Sequence, residues 1–301
     1  MVYTLTFNPA LDYAVELDAF SEGGLNRSNN EYISYGGKGI NVSVVLTNLK
    51  IENTALGFLA GFTGRELDKS LKEQGIKTDF VYLKSGFTRI NVKIKSQSET
   101  EINANGPQID KASLDKLFRK LNSIKSGDYL ILSGSIPKNL SQNIYKEILE
   151  MLADRGVEFV VDAEKGLLLD TLRFKPFLVK PNLFELQQIT GKRLENETEI
   201  IDAAKALQKQ GSKNVLVSLG EKGALLISEK QEVFRQKAPD GRLVNSVGAG
   251  DSMISGFLKG YFETKDYEKA LKFGVAAGSA TAFSRSLAKK EEIYGILEKL
   301  D

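Results

Sequence analysis

Histidine, cysteine and tryptophan are all absent from the 301 residues. Without cysteine there is no disulfide framework and no thiol chemistry. Without histidine the chain lacks the commonest general base and metal ligand, and no Ser-His or Cys-His nucleophile can be assembled. Acid and base work falls to Asp, Glu, Lys or Tyr. A dominant sign of charge is missing too. The 41 Lys and Arg against 39 Asp and Glu leave a formal net charge of +2, so no global field draws the chain to nucleic acid or to a membrane surface. Anion recognition must come from local placement of basic residues. No apolar run approaches the length of a membrane span. The opening Met1-Val2-Tyr3-Thr4-Leu5-Thr6-Phe7 has no basic n-region, so no signal peptide is expected. These exclusions describe a soluble cytoplasmic protein. What is present, 42% hydrophobic and 27% charged residues, supplies a core for one large α/β domain or two ordinary ones.

Apolar runs of strand length alternate with longer amphipathic stretches. Val2 to Phe7, Thr54 to Leu59, Tyr129 to Leu132, Glu158 to Val161, Phe177 to Val179 and Val215 to Val217 read as strands. Helical spacing covers Gly39 to Leu49, Gly64 to Gln74, Leu140 to Leu152 and Ile200 to Gln210, and everything from Asp251 onward looks helical. Strands alternating with helices predict a doubly wound, mostly parallel α/β sheet. Two pairs of segments break this rhythm: Leu11 to Leu17 with Asn29 to Ser34, then Thr88 to Lys95 with Glu99 to Asn103, alternate polar and apolar with no helix inside either pair. They predict a small antiparallel β lid, built from about residues 11–17, 27–35 and 87–104, on a single domain spanning 1–301.

Two glycine-rich segments carry the chemistry. Asn245-Ser246-Val247-Gly248-Ala249-Gly250-Asp251-Ser252 leads into an apolar helical stretch. Gly-Ala-Gly lets amides turn inward, and the helix start aims its positive end at whatever lies above. An Asp there repels a bound phosphate, but it suits a general base that takes a hydroxyl proton while the amides hold the transferring group. It suits equally a helix capped after a glycine-rich turn. Gly36-Gly37-Lys38-Gly39-Ile40-Asn41 also precedes a helix, and it is either a ligand cradle or a tight strand-to-helix turn. It lacks the spacing and the Ser/Thr of a Walker A loop. Polar or glycine-rich groups recur after four strands: Asp12, Ser133-Gly134-Ser135, Lys180-Pro181-Asn182 with Glu185, and Ser218-Leu219-Gly220 with Gly223. Open α/β sheets bind ligands at those strand ends.

Together these segments resemble the ribokinase/PfkB carbohydrate kinase family from the first strand to the last helix. The resemblance rests on Gly-Gly-Lys-Gly-Ile-Asn near Lys38 and on Asn-Ser-Val-Gly-Ala-Gly-Asp-Ser ending at Ser252. Thr-Phe-Asn-Pro-Ala-Leu-Asp-Tyr at 6–13 and Asn-Gly-Pro at 105–107 are similar to its phosphosugar branch, the 1-phosphofructokinases and tagatose-6-phosphate kinases. The resemblance implies Asp251 as catalytic base, with an anion hole at Gly248, Ala249 and Gly250. It implies Asp12, Gly37 and Asn41 on ketose hydroxyls, and Arg27, Lys38, Arg89 and Ser135 at the phosphate already on the sugar. Lys180 and Asn182 would place ATP phosphates, and Glu185 would place Mg²⁺. Ser218, Gly220 and Gly223 would line the nucleotide site, with Gly278 and Phe283 near adenine. One departure is Val44, which stands where this branch commonly carries Arg and which continues an apolar stripe.

The implied reaction is ATP-dependent transfer to a ketose phosphate, fructose 1-phosphate to fructose 1,6-bisphosphate, with tagatose 6-phosphate as the rival acceptor. The lid would exclude water, and its apolar outer face implies a homodimer through the lid. Two other classes fit less well. A sugar-phosphate or nucleotide sensor would be expected to lose Asp251 or Glu185, and a dinucleotide-binding oxidoreductase needs a G-x-G-x-x-G after the first strand, which is absent.

Overall fold

Nearly uninterrupted Val, Leu and Ile runs make strands buried on both faces, and such strands belong in the middle of a parallel sheet. The computed structural model, which describes residues 1–163 and 165–300, places them there. The parallel strands are β1 (Val2–Thr6), β4 (Asn53–Leu59), β5 (Lys77–Thr78), β6 (Val81–Tyr82), β9 (Tyr129–Ser133), β10 (Glu158–Asp162), β11 (Leu178–Val179) and β12 (Asn214–Ser218). The order along the sheet is β14-β13-β12-β11-β10-β9-β1-β4-β5, with β6 also pairing β4; β13 is Ala224–Ile227 and β14 is Val233–Gln236. The last two strands turn antiparallel. The loop from β12 to β13 is only a few residues long, so the chain cannot cross over and must fold back.

Alternate residues of one strand feed opposite faces. Leu130 and Leu132 enter a core with Leu117, Ile148, Leu168, Leu186 and Leu207, while Ile131 enters one with Val45, Ile254, Phe257 and Ala277. The first core lies under helices α3 (Lys111–Leu121), α4 (Ile144–Leu152), α5 (Lys165–Thr171), α6 (Leu183–Thr190) and α7 (Glu197–Lys209). The second lies under α1 (Lys38–Asn48), α8 (Ala249–Thr264), α9 (Tyr267–Ala282) and α10 (Lys290–Leu297). Each fully buried Leu contributes about 1.5–3 kcal/mol, so the layers hold together without any covalent staple. The α8–α9 pair is unusually close because Gly256, Gly260, Gly274 and Gly278 each face the other helix without a side chain.

The small sheet has the order β3-β2-β7-β8, with β2 at Ala10–Glu16, β3 at Asn30–Gly36, β7 at Arg89–Lys95 and β8 at Glu99–Ile102. Its outer pairs are antiparallel as expected. Its central pair, β2 with β7, is parallel, because a long excursion through α1, β4 and α2 (Gly61–Glu73) separates the two in sequence. Leu11, Tyr35 and Ile90 pack on Leu67 and Leu71 of α2, which roots the lid on the body. Along the main sheet the chain leaves β1 for β4 on one side and returns to β9 on the other. That reversal makes a crevice at the carboxyl ends of β1 and β9.

Helix α4 begins at Ile144 rather than at Leu140 as the spacing suggests. Residues 138–143 are turns: Leu140 N–H donates to Pro137 O, and Ile144 N–H donates to Ser141 O. The expected helical tail is three helices, interrupted after Thr264 and after Ala282.

Candidate active site

Helix α8 starts from Gly248, whose φ of 79° is left-handed. A Cβ there would be strained and would strike Leu287. This turn delivers Asp251 in the first turn of the helix, only 5% exposed. Asn41, in the first turn of α1, donates its amide to Asp251 Oδ2 at 2.8 Å. Ser255 Oγ donates to Val42 O at 3.1 Å and clamps the two helix starts together. Burial pushes the Asp251 carboxyl up to about 6, and Asp162 adds to the push against Asn41, Lys38 and Lys180. A carboxylate tuned into that range accepts a proton readily near neutral pH.

Asp162, the last residue of β10, was not singled out from the sequence. It is 1% exposed, and its Oδ1 lies 3.2 Å from Lys38 Nζ and 3.5 Å from Lys180 Nζ. Burial raises its pKa, but the ammonium groups of Lys180 and Lys38 outweigh that and hold it below the usual carboxylate range. Burial lowers the Lys38 pKa in turn, and the charges of Asp162, Asp251 and Glu185 reverse this and raise it. Two cations therefore share one firmly ionised carboxylate, a positive excess suited to a polyanion. Asp162 Oδ2 and Ser133 Oγ are buried with no protein partner. An Asp closing a Phe-Val-Val strand was the available signal.

Lys180 Nζ lies 3.1 Å from where a Gly250 side chain would begin, so the α8 amino end and this cation face the same space. Of the expected anion-hole amides, Ala249 N–H makes a long 3.3 Å bond to Ser246 O that closes the turn. Gly250 N–H, in the first helical turn, has no carbonyl four residues back inside the helix. Asn182 and Glu185 form a reciprocal capping box on α6: Glu185 N–H donates to Asn182 Oδ1, and Asn182 N–H donates to Glu185 Oε2, both at 2.8 Å. Their pairing is therefore a helix start as well as a candidate phosphate and metal station.

On the lid side, Asp12 is 8% exposed and sits against Gly36, where any side chain would collide with its carboxylate. Gly37 caps α1 at φ 114°, pressed on Thr6 and Pro9. Asp12 and Asn41 line a cavity of about 830 Å³ bounded by the lid strands, α1 and the loops at 244–247 and 285–289. Arg89 is half-buried, with Nε donating to Asn8 O at 3.1 Å and Nη1 to Ala104 O at 3.3 Å. Burial lowers its pKa, opposed by the charge of Asp12.

The remaining expected residues are more scattered. Arg27 lies in the β2–β3 loop rather than on a strand, and it is exposed. Ser135 is exposed in the loop after β9. Ser218 ends β12, and Gly220 at φ 59° opens onto solvent. Gly223 is a packing glycine instead of an open one, because a Cβ on it would collide with Gln236 O. Gly278 is buried at the crossing of α8 and α9, where a Cβ on it would lie 3.2 Å from Ala249 O. Phe283 caps α9 with Gly241 lying on its ring. Among the described residues no three acidic side chains converge as a ready-made metal cage, and no helix is long and apolar enough to cross a membrane.

The pattern of the pfkB family carbohydrate kinases matches residues 5–293. A 1-phosphofructokinase of Bacillus subtilis is 41% identical over 300 residues, covering 100% of this chain and 98% of the relative. A D-tagatose-1-phosphate kinase of Bacillus licheniformis is 37% identical and covers 100% and 96%. The crystal structure of phosphofructokinase-2 from Escherichia coli in complex with substrates and products superposes with a TM-score of 0.93 at 28% identity, covering 99% of each chain. A helix start carrying a buried carboxylate, two lysines that share Asp162 at the strand ends of a parallel sheet, and a small β lid lie together within the span that the family pattern matches: the chain is a member of the pfkB family of carbohydrate kinases.

Proposed function

We propose that the protein is a cytoplasmic kinase that transfers the γ-phosphoryl group of ATP to the 6-hydroxyl of fructose 1-phosphate, giving fructose 1,6-bisphosphate. The observation that carries this reading is Asp251, a buried carboxylate with a pKa near 6 at a helix amino end, held by Asn41 beside the cavity that Asp12 also lines. The 6-hydroxyl gives its proton to Asp251 as its oxygen attacks phosphorus and the ADP oxygen leaves. Gly250 N–H, the α8 amino end and Lys180 disperse charge on the transferring group. Asp162 keeps Lys180 and Lys38 in place, while Asp12, Gly37 and Asn41 hold ketose hydroxyls. Arg89, with Arg27, Lys38 and Ser135, holds the 1-phosphate. Asn182, Ser218, Gly220 and Phe283 border the ATP side.

Mg²⁺ fits this donor set. It takes one or two carboxylates and leaves its other positions to water and phosphate. Glu185 spends one oxygen on its capping box, and the buried Asp162 Oδ2 has no protein partner. When bound, the ion neutralises charge on the ATP phosphates. The chain works as one catalytic unit whose lid closes over the acceptor, and a second copy covers the outer lid face, where Ile33 and Ile102 are 57% and 58% exposed.

Initial rates with fructose 1-phosphate, tagatose 1-phosphate and tagatose 6-phosphate at matched ATP and Mg²⁺ test the acceptor. Fructose and tagatose differ in one hydroxyl, and an inverted hydroxyl that loses a buried partner costs about 1–3 kcal/mol. Selectivity for fructose 1-phosphate is therefore on the order of ten- to a hundredfold in kcat/KM. A higher kcat/KM for either tagatose ester overturns the assignment while leaving the family standing.

A further inference from the structure

Asn91 was not among the candidate residues, yet it is 6% exposed and fully engaged. It lies in β7 in direct register with Asp12 of β2. Its Nδ2 donates to Asp12 Oδ1 at 2.7 Å, and its Oδ1 accepts from Ala104 N–H at 3.2 Å. The orientation of this amide follows from its partners. A carboxylate only accepts and a peptide N–H only donates, so the flipped amide satisfies neither.

The Ala104 peptide belongs to the segment that returns from β8 to the body. Its carbonyl accepts from Arg89 Nη1, and Arg89 stands two residues before Asn91 on the same face of β7. Asn8 holds the next peptide, with Nδ2 donating to Asn105 O at 3.2 Å. Two neighbouring side chains of one strand therefore grip Ala104 from both ends, and one of them also grips Asp12. With Asn91 on its Oδ1 and Gly36 against the carboxylate, Asp12 has few alternative orientations.

We propose that Asn91 is a positioning residue that sets acceptor selectivity, by holding Asp12 in one orientation and linking it through the Ala104 peptide to Arg89. This rests on the reading that Asp12 takes a ketose hydroxyl and Arg89 the acceptor phosphate. The spacing between hydroxyl reader and phosphate holder is then set inside the lid, before any substrate arrives. A sugar with one inverted hydroxyl cannot be accommodated by swinging the carboxylate. Loss of Asn91 frees Asp12 to follow either epimer, so the penalty falls on the preferred one.

The test is a kinetic cycle on the full-length enzyme with Asn91→Leu, Asp12→Asn and the double variant, using fructose 1-phosphate and tagatose 1-phosphate as acceptors. Asn91→Leu is expected to raise the acceptor KM about fivefold or more and to leave the ATP KM within about twofold. The preference between the two epimers falls at least about threefold. In the Asp12→Asn background the same change alters the acceptor KM by less than about twofold, because there is no carboxylate left to position. Should the leucine variant fail to fold, Asn91→Ala carries the same expectations. A lowered melting temperature with unchanged acceptor KM and unchanged epimer preference overturns the proposal. So does full additivity in the cycle. If Asp12→Asn itself leaves the acceptor KM unchanged, the acceptor reading falls and the proposal with it; if only the Asn91 variants are silent, the proposal falls alone.

Discussion

Replacing Asp251 by Asn removes the base while keeping the size of the side chain, and the two consequences have opposite signs. Activity falls: with general-base catalysis gone and no histidine in the chain to substitute, kcat drops at least about a thousandfold. Stability rises, but only above a certain pH. The Asp251 pKa is about 6 in the folded protein, against 3.8 for an unperturbed Asp. The folded state therefore holds a proton that the unfolded chain has released, and stability is lost as pH rises from about 3.8 to about 6. A shift of about two units corresponds to about 3 kcal/mol, and Asn escapes that loss. Asp251→Asn is thus expected to melt several degrees above wild type at pH 8 and together with it near pH 4. The same titration sets an acidic limb near pH 6 in wild-type kcat/KM. Substrate phosphates titrate in this range too, so the pH profile of the variant's residual activity serves as the reference, and the limb due to Asp251 is absent from it. A variant that keeps a tenth of wild-type kcat, or that melts below wild type at pH 8, refutes the reasoning.

Asp162→Asn leaves Lys38 and Lys180 without their shared partner; the ATP KM should rise about tenfold or more and kcat should fall, measured by steady-state kinetics. Gly248→Ala puts a side chain at φ 79° against Leu287, so it should cost about 1–3 kcal/mol in chemical denaturation and lower kcat more than it changes either KM. Arg89→Ala should raise the KM for the sugar phosphate at least about tenfold while the ATP KM stays within a few-fold, and equal effects on both would count against its assignment.

What was legible in the sequence was whatever left a compositional mark. Gly-Gly-Lys-Gly and Gly-Ala-Gly-Asp stand out because close backbone approach demands glycine, and both segments meet at the Asn41–Asp251 bond. The alternation of strand and helix announced the main sheet for the same reason, since buried parallel strands must be apolar throughout. Asp162 was missed because one acid at the end of an apolar strand reads as an ordinary exit from the sheet. Its partners lie 124 residues upstream and 18 residues downstream, a proximity created by strand order alone. Asn91 was missed for a related reason: in a strand of period two a polar residue reads as solvent-facing, whereas the inner face of the lid is buried at Asp12 and Asn91. The packing role of Gly278 was not legible either: a glycine in a helix can clear a ligand or a neighbouring helix, and the α8–α9 crossing shows that this one lies against a helix.

The most direct measurement follows the phosphoryl group itself. Incubating the enzyme with fructose 1-phosphate, ATP and Mg²⁺, and recording ³¹P spectra over time, should show a second phosphate monoester appearing on C6. ADP should accumulate in equal amount and inorganic phosphate should stay near baseline, with both the new monoester and the ADP abolished by Asp251→Asn. ATP broken down to ADP and inorganic phosphate with the sugar unchanged, or a bisphosphate formed at an undiminished rate by the Asp251→Asn protein, would contradict it.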